Sequence, residues 1–211
     1  MQFSVNPLAK TCLLCAAMAL MLLLTVGCTR IPLSSLWALK QFSFETFDPT
    51  VLRVAVRLPT GLALKSDALV VDAKVTREGE APVAEHFVMH ETRDRTELAG
   101  LPEVSPAQGR WVVLKFDADE ARRVRTMREG LIARKAAAEK AGGPKGKTKM
   151  EIGASPKFCR TGAAVSPDAS MAGAMYWAAD KGYVMLLRET AVDDLLKDMD
   201  DSKDLASMPA C

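Results

Sequence analysis

Two histidines and a methionine lie within seven residues, Glu85-His86-Phe87-Val88-Met89-His90-Glu91. Imidazole nitrogen and thioether sulfur together suit copper, so His86 and His90 are the candidate metal ligands of the chain. Their spacing limits that chemistry. The run alternates like a strand, which would set the two rings on one face roughly 13 Å apart at ~3.3 Å per residue. Met89 would then point to the opposite face. Two half-exposed histidines on a sheet are the plainer expectation. Nucleophile and phosphate motifs are absent: the sequence holds no G-x-S-x-G elbow, no H-E-x-x-H zinc motif and no G-x-x-x-x-G-K-[ST] loop. Gly142 to Thr148 is rich in glycine and lysine, but its spacing is wrong for a phosphate loop and it follows a helical stretch. A serine paired with His86 or His90 in space would make a small hydrolase, and no motif supports it.

The densest charge lies between Asp117 and Lys149, where ten cations stand against five acids. Arg122, Arg123, Arg125, Arg128, Arg134 and Lys135 sit on a predicted helix whose apolar stripe is Val124, Met127 and Leu131. Such a face suits an anionic surface or a protein partner, and any such contact weakens with salt. Two other fates are open: a solvated face, or neutralisation by the acidic stretch from Glu189 to Asp204. The formal net charge is only +2, so there is no global pull toward nucleic acid, and no nucleic-acid partner is expected.

The beginning of the chain sets the context for these residues. One cation, Lys10, precedes an uncharged run from Thr11 to Gly27, too short for an ordinary spanning helix. It ends in Thr25-Val26-Gly27-Cys28. This run resembles the lipobox of bacterial lipoproteins, although that family more often has Leu where Thr25 stands. The resemblance covers residues 1–28 and implies that 1–27 is a cleaved signal peptide. It also implies that Cys28 becomes the first residue, carrying a thioether-linked diacylglycerol and an N-acyl chain such as palmitate. No other cofactor is expected. Two or three acyl chains hold a protein on a bilayer far more firmly than one. Residues 28–48 would be a lipidated tether and lead-in, with Leu33, Leu36, Trp37 and Phe42 docking on the domain or lying on lipid. By resemblance, Thr29 in place of Asp favours the outer membrane, so the chain is expected in the cell envelope, facing the periplasm. Cys12 and Cys15 leave with the signal, and Cys159 and Cys211 remain as an even pair in an oxidising compartment. They are either a disulfide or two separate thiols.

About 184 residues remain after cleavage, enough for one domain with a real core. Residues 49–199 are expected to form a single β-rich α+β domain, an antiparallel sheet or sandwich-like meander. Strands are predicted at 51–58, 68–77, 83–91, 110–116 and briefly at 150–153, with a hairpin over 172–188. One long basic helix is predicted over about 118–141, opened by a box between Asp117 and Glu120 and closed at Gly142-Gly143-Pro144. A short C-terminal helix over 190–199 and an acidic tail, 200–211, complete the chain. The function expected from this set is non-catalytic: a membrane-anchored scaffold or accessory subunit that binds another envelope protein. A metal or small-ligand binding protein is the alternative, and a small hydrolase the more distant one.

Overall fold

The computed structural model describes residues 40–77, 81–140, 148–199, 205 and 207–211. Residues 1–27, Cys28, Leu33 to Trp37, residues 141–147 and the acidic run 200–204 lie outside the described residues. Seven strands form one curled antiparallel sheet: β1 Arg53–Leu58, β2 Leu62–Arg77, β3 Val83–Glu91, β4 Arg110–Phe116, β5 Thr148–Arg160, β6 Ser170–Tyr176 and β7 Val184–Ala191. Among the described residues two helices of more than one turn accompany it, α1 Ala118–Lys140 and α2 Val192–Met199. The strand order is β5-β2-β3-β4-β1-β6-β7. This is β-rich α+β, but it is one sheet rather than two, and not a simple meander: β1 inserts between β4 and β6, and β5 returns to the far side of β2.

Period-two alternation decides which side chains face inward. Val54, Val56 and Leu58 of β1, Val112, Leu114 and Phe116 of β4, and Phe87 and Met89 of β3 join one apolar cluster. The lead-in closes that cluster from outside the sheet: Phe42 stacks at 5.3 Å on Phe47 and meets Trp177 edge-on at 6.0 Å. Helix α1 adds Ala121 and Val124, and α2 adds Val192 and Leu196. The opposite face of the central strands holds a smaller layer of Ala55, Val113 and Ala174, against which Leu98, Leu101, Trp111 and Tyr183 pack. Small residues on the sheet let the loop 92–109 lie close over it. That loop enters β4 through Gly109, whose φ is +107°; a Cβ there would meet the Leu58 carbonyl oxygen at 2.0 Å, so only glycine fits.

Strand β2 is longer than its alternation predicts, because it runs from Leu62 through a bulge between Leu64 and Leu69. Strand β5 departs further from its expected length, with thirteen residues against the four predicted. Residues 149–155 are exposed throughout. Met150, Ile152 and Ala154 alternate with Lys149, Glu151 and Ser155, which gives the short strand signal; Pro156 and the neighbouring Phe158 and Cys159 interrupt that pattern, so the sequence does not carry the strand on to Arg160.

Candidate functional site

Helix α1 opens on Asp117, whose Oδ1 accepts from the amides of Asp119 and Glu120 at 3.0 and 2.8 Å. The Glu120 carboxylate is bound by the Arg123 guanidinium at 2.9 and 3.0 Å. Four of the six cations singled out on this helix meet acids of the chain's own body. Arg122 pairs with Asp119 at 3.0 Å, Arg123 also with Glu85 at 3.1 Å, Arg125 with Asp48 at 3.8 Å and Lys135 with Glu45 at 2.8 Å. Arg128 donates to the Phe47 carbonyl and stacks over the Phe47 ring. Arg134 stands exposed on the outer half of the helix. The sequence offered the C-terminal acids as neutralising partners. Among the described residues the off-helix acids that meet α1 are instead Glu45, Asp48 and Glu85, from the lead-in and β3. The nearby Arg125 and Arg128 charges help hold the Asp48 carboxyl below its ordinary range, behind the larger effect of its hydrogen bonds from the Thr50 amide and hydroxyl.

The histidines lie as a strand dictates. His86 contacts Asp72, its cross-strand partner on β2. The His90 Nδ1 lies 3.3 Å from the Ser66 carbonyl oxygen and its Nε2 3.8 Å from Asp117. Met89 is fully buried in the core. The three donor side chains therefore point to two faces. Among the described residues no group of three or more His, Cys, Asp or Glu side chains is placed to hold a metal ion.

Cys159 and Cys211 are joined, with Cα atoms 4.9 Å apart and a separation of 52 positions in sequence. The tail that carries Cys211 is well seated. The Arg160 amide donates to the Pro209 carbonyl at 2.9 Å, and the Cys211 amide donates to the Arg160 carbonyl at 3.0 Å. Arg160 and Ala210 form a parallel bridge, and Met208 is buried in the core. The C-terminal tail thus lays a single bridge against one end of the β5 edge.

Three further features carried no motif. An open cleft of about 710 Å³ lies between β4 and the loop 92–109, lined among others by Arg93, Arg95, Leu98, Leu101, Pro102 and Trp111. The Trp111 Nε1 donates to the Pro102 carbonyl at 2.9 Å, and Arg110 pairs with Glu91 at 3.1 Å at its margin. Beside the cleft, Glu97 joins Arg53 at 2.8 Å and Lys115 at 3.1 Å, while the Tyr183 hydroxyl donates to its carbonyl at 2.7 Å. The Arg53 hydrogen bond, reinforced by Lys115, holds the Glu97 carboxyl below its usual range against the opposing effect of burial. Burial and the Glu97 charge push the Tyr183 hydroxyl up to about 12. Arg57 is buried on the same face, with Nη1 on Glu189 at 2.6 Å and Nη2 on Ser170 at 2.9 Å. In sequence Arg57 reads as the solvent side of an alternating strand; the cover of a second layer is a tertiary fact that β1 alone does not announce.

Among the described residues no helix is long and apolar enough to cross a membrane. No protein-family model, curated protein or solved structure matches this chain.

Proposed function

We propose that this protein is a lipid-anchored lipoprotein of the bacterial cell envelope, facing the periplasm, with the outer membrane as its favoured side. Its role is that of a non-catalytic scaffold or accessory subunit that holds another envelope protein against the membrane. One observation carries the reading: the uncharged run Thr11 to Gly27 ending in Thr25-Val26-Gly27-Cys28. A diacylglycerol thioether and an N-acyl chain on Cys28 would make detachment negligible, since each buried methylene adds about 0.8 kcal/mol. The contact surfaces are a sheet edge and the basic outer face of α1. Exposed cations that already pair within the chain orient more than they attract, because such pairs are worth only ~0–1 kcal/mol. The outer half of the helix around Arg134 is accordingly the part of that face best suited to a partner.

The test is crosslinking in cells followed by mass spectrometry of the membrane fraction. One dominant partner, weakened by joint charge reversal of the exposed Arg122, Arg125 and Arg134, is the expected result. A membrane-bound chain with no specific partner would remove the accessory role. The second reading is a small-ligand binding protein, favoured by the 710 Å³ cleft, which falls within the ordinary range of ligand sites. A ligand at about a hundred times its Kd adds about 2.7 kcal/mol to stability and raises Tm accordingly.

A further inference from the structure

Strand β5 pairs on one side with β2 and, among the described residues, on the other side only with the C-terminal tail at Arg160. The bonds at Arg160 fix which residues turn their peptide groups toward the open side. Arg160 points its N–H and C=O outward to Pro209 and Cys211, so by alternation Ala154, Ile152 and Met150 do the same. The other end of the sheet gives the same parity. The Thr92 amide donates to the Val113 carbonyl, so the even residues of β3 turn toward β4 and the odd ones toward β2. Across the sheet Phe87 opposes Val71, and Val71 opposes Ala154. Val71 therefore turns toward β3, and Ala154 turns away from β2 into solvent.

The residues with outward peptide groups are also those with apolar side chains. Met150, Ile152 and Ala154 lie opposite Val75, Ala73 and Val71 of β2 on the face of the main core. Val75 and Ala73 are buried, whereas Met150 is 38% and Ile152 53% exposed. The apolar layer thus continues to the last strand and ends there uncovered. Lys149, Glu151, Gly153, Ser155 and Lys157 occupy the opposite, polar face, where Lys149 pairs with Glu151 and Lys157 with Asp67. Pro156 has no N–H and ends the usable edge on one side.

We propose that this edge is a dimer seam, on which β5 of a second copy pairs antiparallel about a two-fold axis at Ile152. That register sets Ile152 opposite Ile152, and Met150 opposite Ala154, so large meets small and apolar meets apolar. All six outward peptide groups of Met150, Ile152 and Ala154 then find partners. On the polar face Lys149 meets Ser155 and Glu151 meets Gly153, with no like charges directly opposed. An axis at Glu151 would set two carboxylates face to face, which destabilises a sheet. An axis at Gly153 would put Pro156 opposite Met150 and lose N–H groups. An axis at Met150 would oppose Ile152 to Thr148. The product is one sheet running through both copies, antiparallel across the seam as it is everywhere else. This inference stands on the edge geometry and does not require the lipid anchor.

The test uses the full chain in detergent, with mass measured by light scattering and with single cysteines introduced at the edge. The wild type is expected to be a dimer. Ile152→Cys is expected to form an intermolecular disulfide on mild oxidation, since directly opposed, hydrogen-bonded residues lie ~5.5 Å apart at Cα. Lys149→Cys, six residues from its symmetry mate, is expected to form none. Ala154→Pro removes one outward N–H per copy at an edge that tolerates proline. It should raise the dimer Kd by roughly tenfold or more while leaving the circular dichroism spectrum unchanged. A monomeric wild type, a dimer that survives Ala154→Pro, or equal crosslinking at positions 149 and 152 would overturn the proposal.

Discussion

Strands β1 and β5 belong to the same sheet and differ in nearly every other respect. β1 has six residues and lies between β4 and β6, with Leu58 in the main core on one face and Ala55 in the second layer on the other. β5 has thirteen residues, pairs along its length with β2, and leaves 149–155 exposed. The short strand is held by burial on two faces. The long one is held by its ladder, by the tail bonded at Arg160 and by Cys159. Length therefore does not measure stability in this sheet. The stable part is where two layers cover the strands, and the part free to bind is where the apolar layer continues without cover.

Substitutions can break or sharpen that contrast. The largest effects are expected at the covered end. Leu114 of β4 is fully buried beside β1, and Leu114→Ala is expected to cost about 3–4 kcal/mol in chemical denaturation. A cost below about 1 kcal/mol would mean that the central strands are not the packed centre of the domain. At the seated end of β5, Cys159→Ser opens a loop of 52 residues. The chain-entropy argument puts that loss at about 4 kcal/mol, and native-state strain would reduce it. Unchanged stability after reduction would show that the tail is held by its hydrogen bonds alone.

A smaller effect is expected where the loop 92–109 closes over the second layer. Glu97→Gln removes the charge shared by Arg53 and Lys115 and is expected to cost about 2 kcal/mol at neutral pH. The sign of its pH dependence follows from the depressed Glu97 carboxyl. Its contribution is present above the unfolded-state value of about 4.3 and is lost as pH falls through the lower folded-state value. The fall in Tm between pH 5 and pH 3 should therefore be shallower in Glu97→Gln than in the wild type. The smallest stability effect is expected at the open end. Ile152→Ser should change unfolding of the monomer by less than about 0.5 kcal/mol, because its side chain is already half in solvent. Its effect should fall on self-association instead.

What the sequence revealed divides along the same line. β1, β3 and β4 alternate because each has one face in the main core, and their predicted limits lie within two residues of those observed. The cap at Asp117 was legible because it is local chemistry, two amides and one carboxylate within three residues. β5 is only partly legible: its alternation marks 150–153, while Pro156 hides the continuation along β2 to Arg160. The strand order was equally hidden: consecutive strands usually lie side by side, and β1 departs from that tendency by pairing with β4 and β6 rather than with β2. The cleft and the Glu97 cluster come from a loop whose glycines and prolines mark turns and say nothing of what the loop covers. His86 and His90 were correctly constrained by strand geometry to one face with Met89 on the other, a consequence of the period alone.

The proposed lipid anchor rests on Cys28, and it is tested most directly by intact and N-terminal peptide mass spectrometry of the chain recovered from bacterial membranes. The expected mature chain begins at Cys28 bearing diacylglycerol and an amide-linked acyl chain, and Cys28→Ala is expected to leave an unprocessed precursor or a chain released from the membrane. A mature chain that begins elsewhere, or that carries an unmodified Cys28, would contradict it.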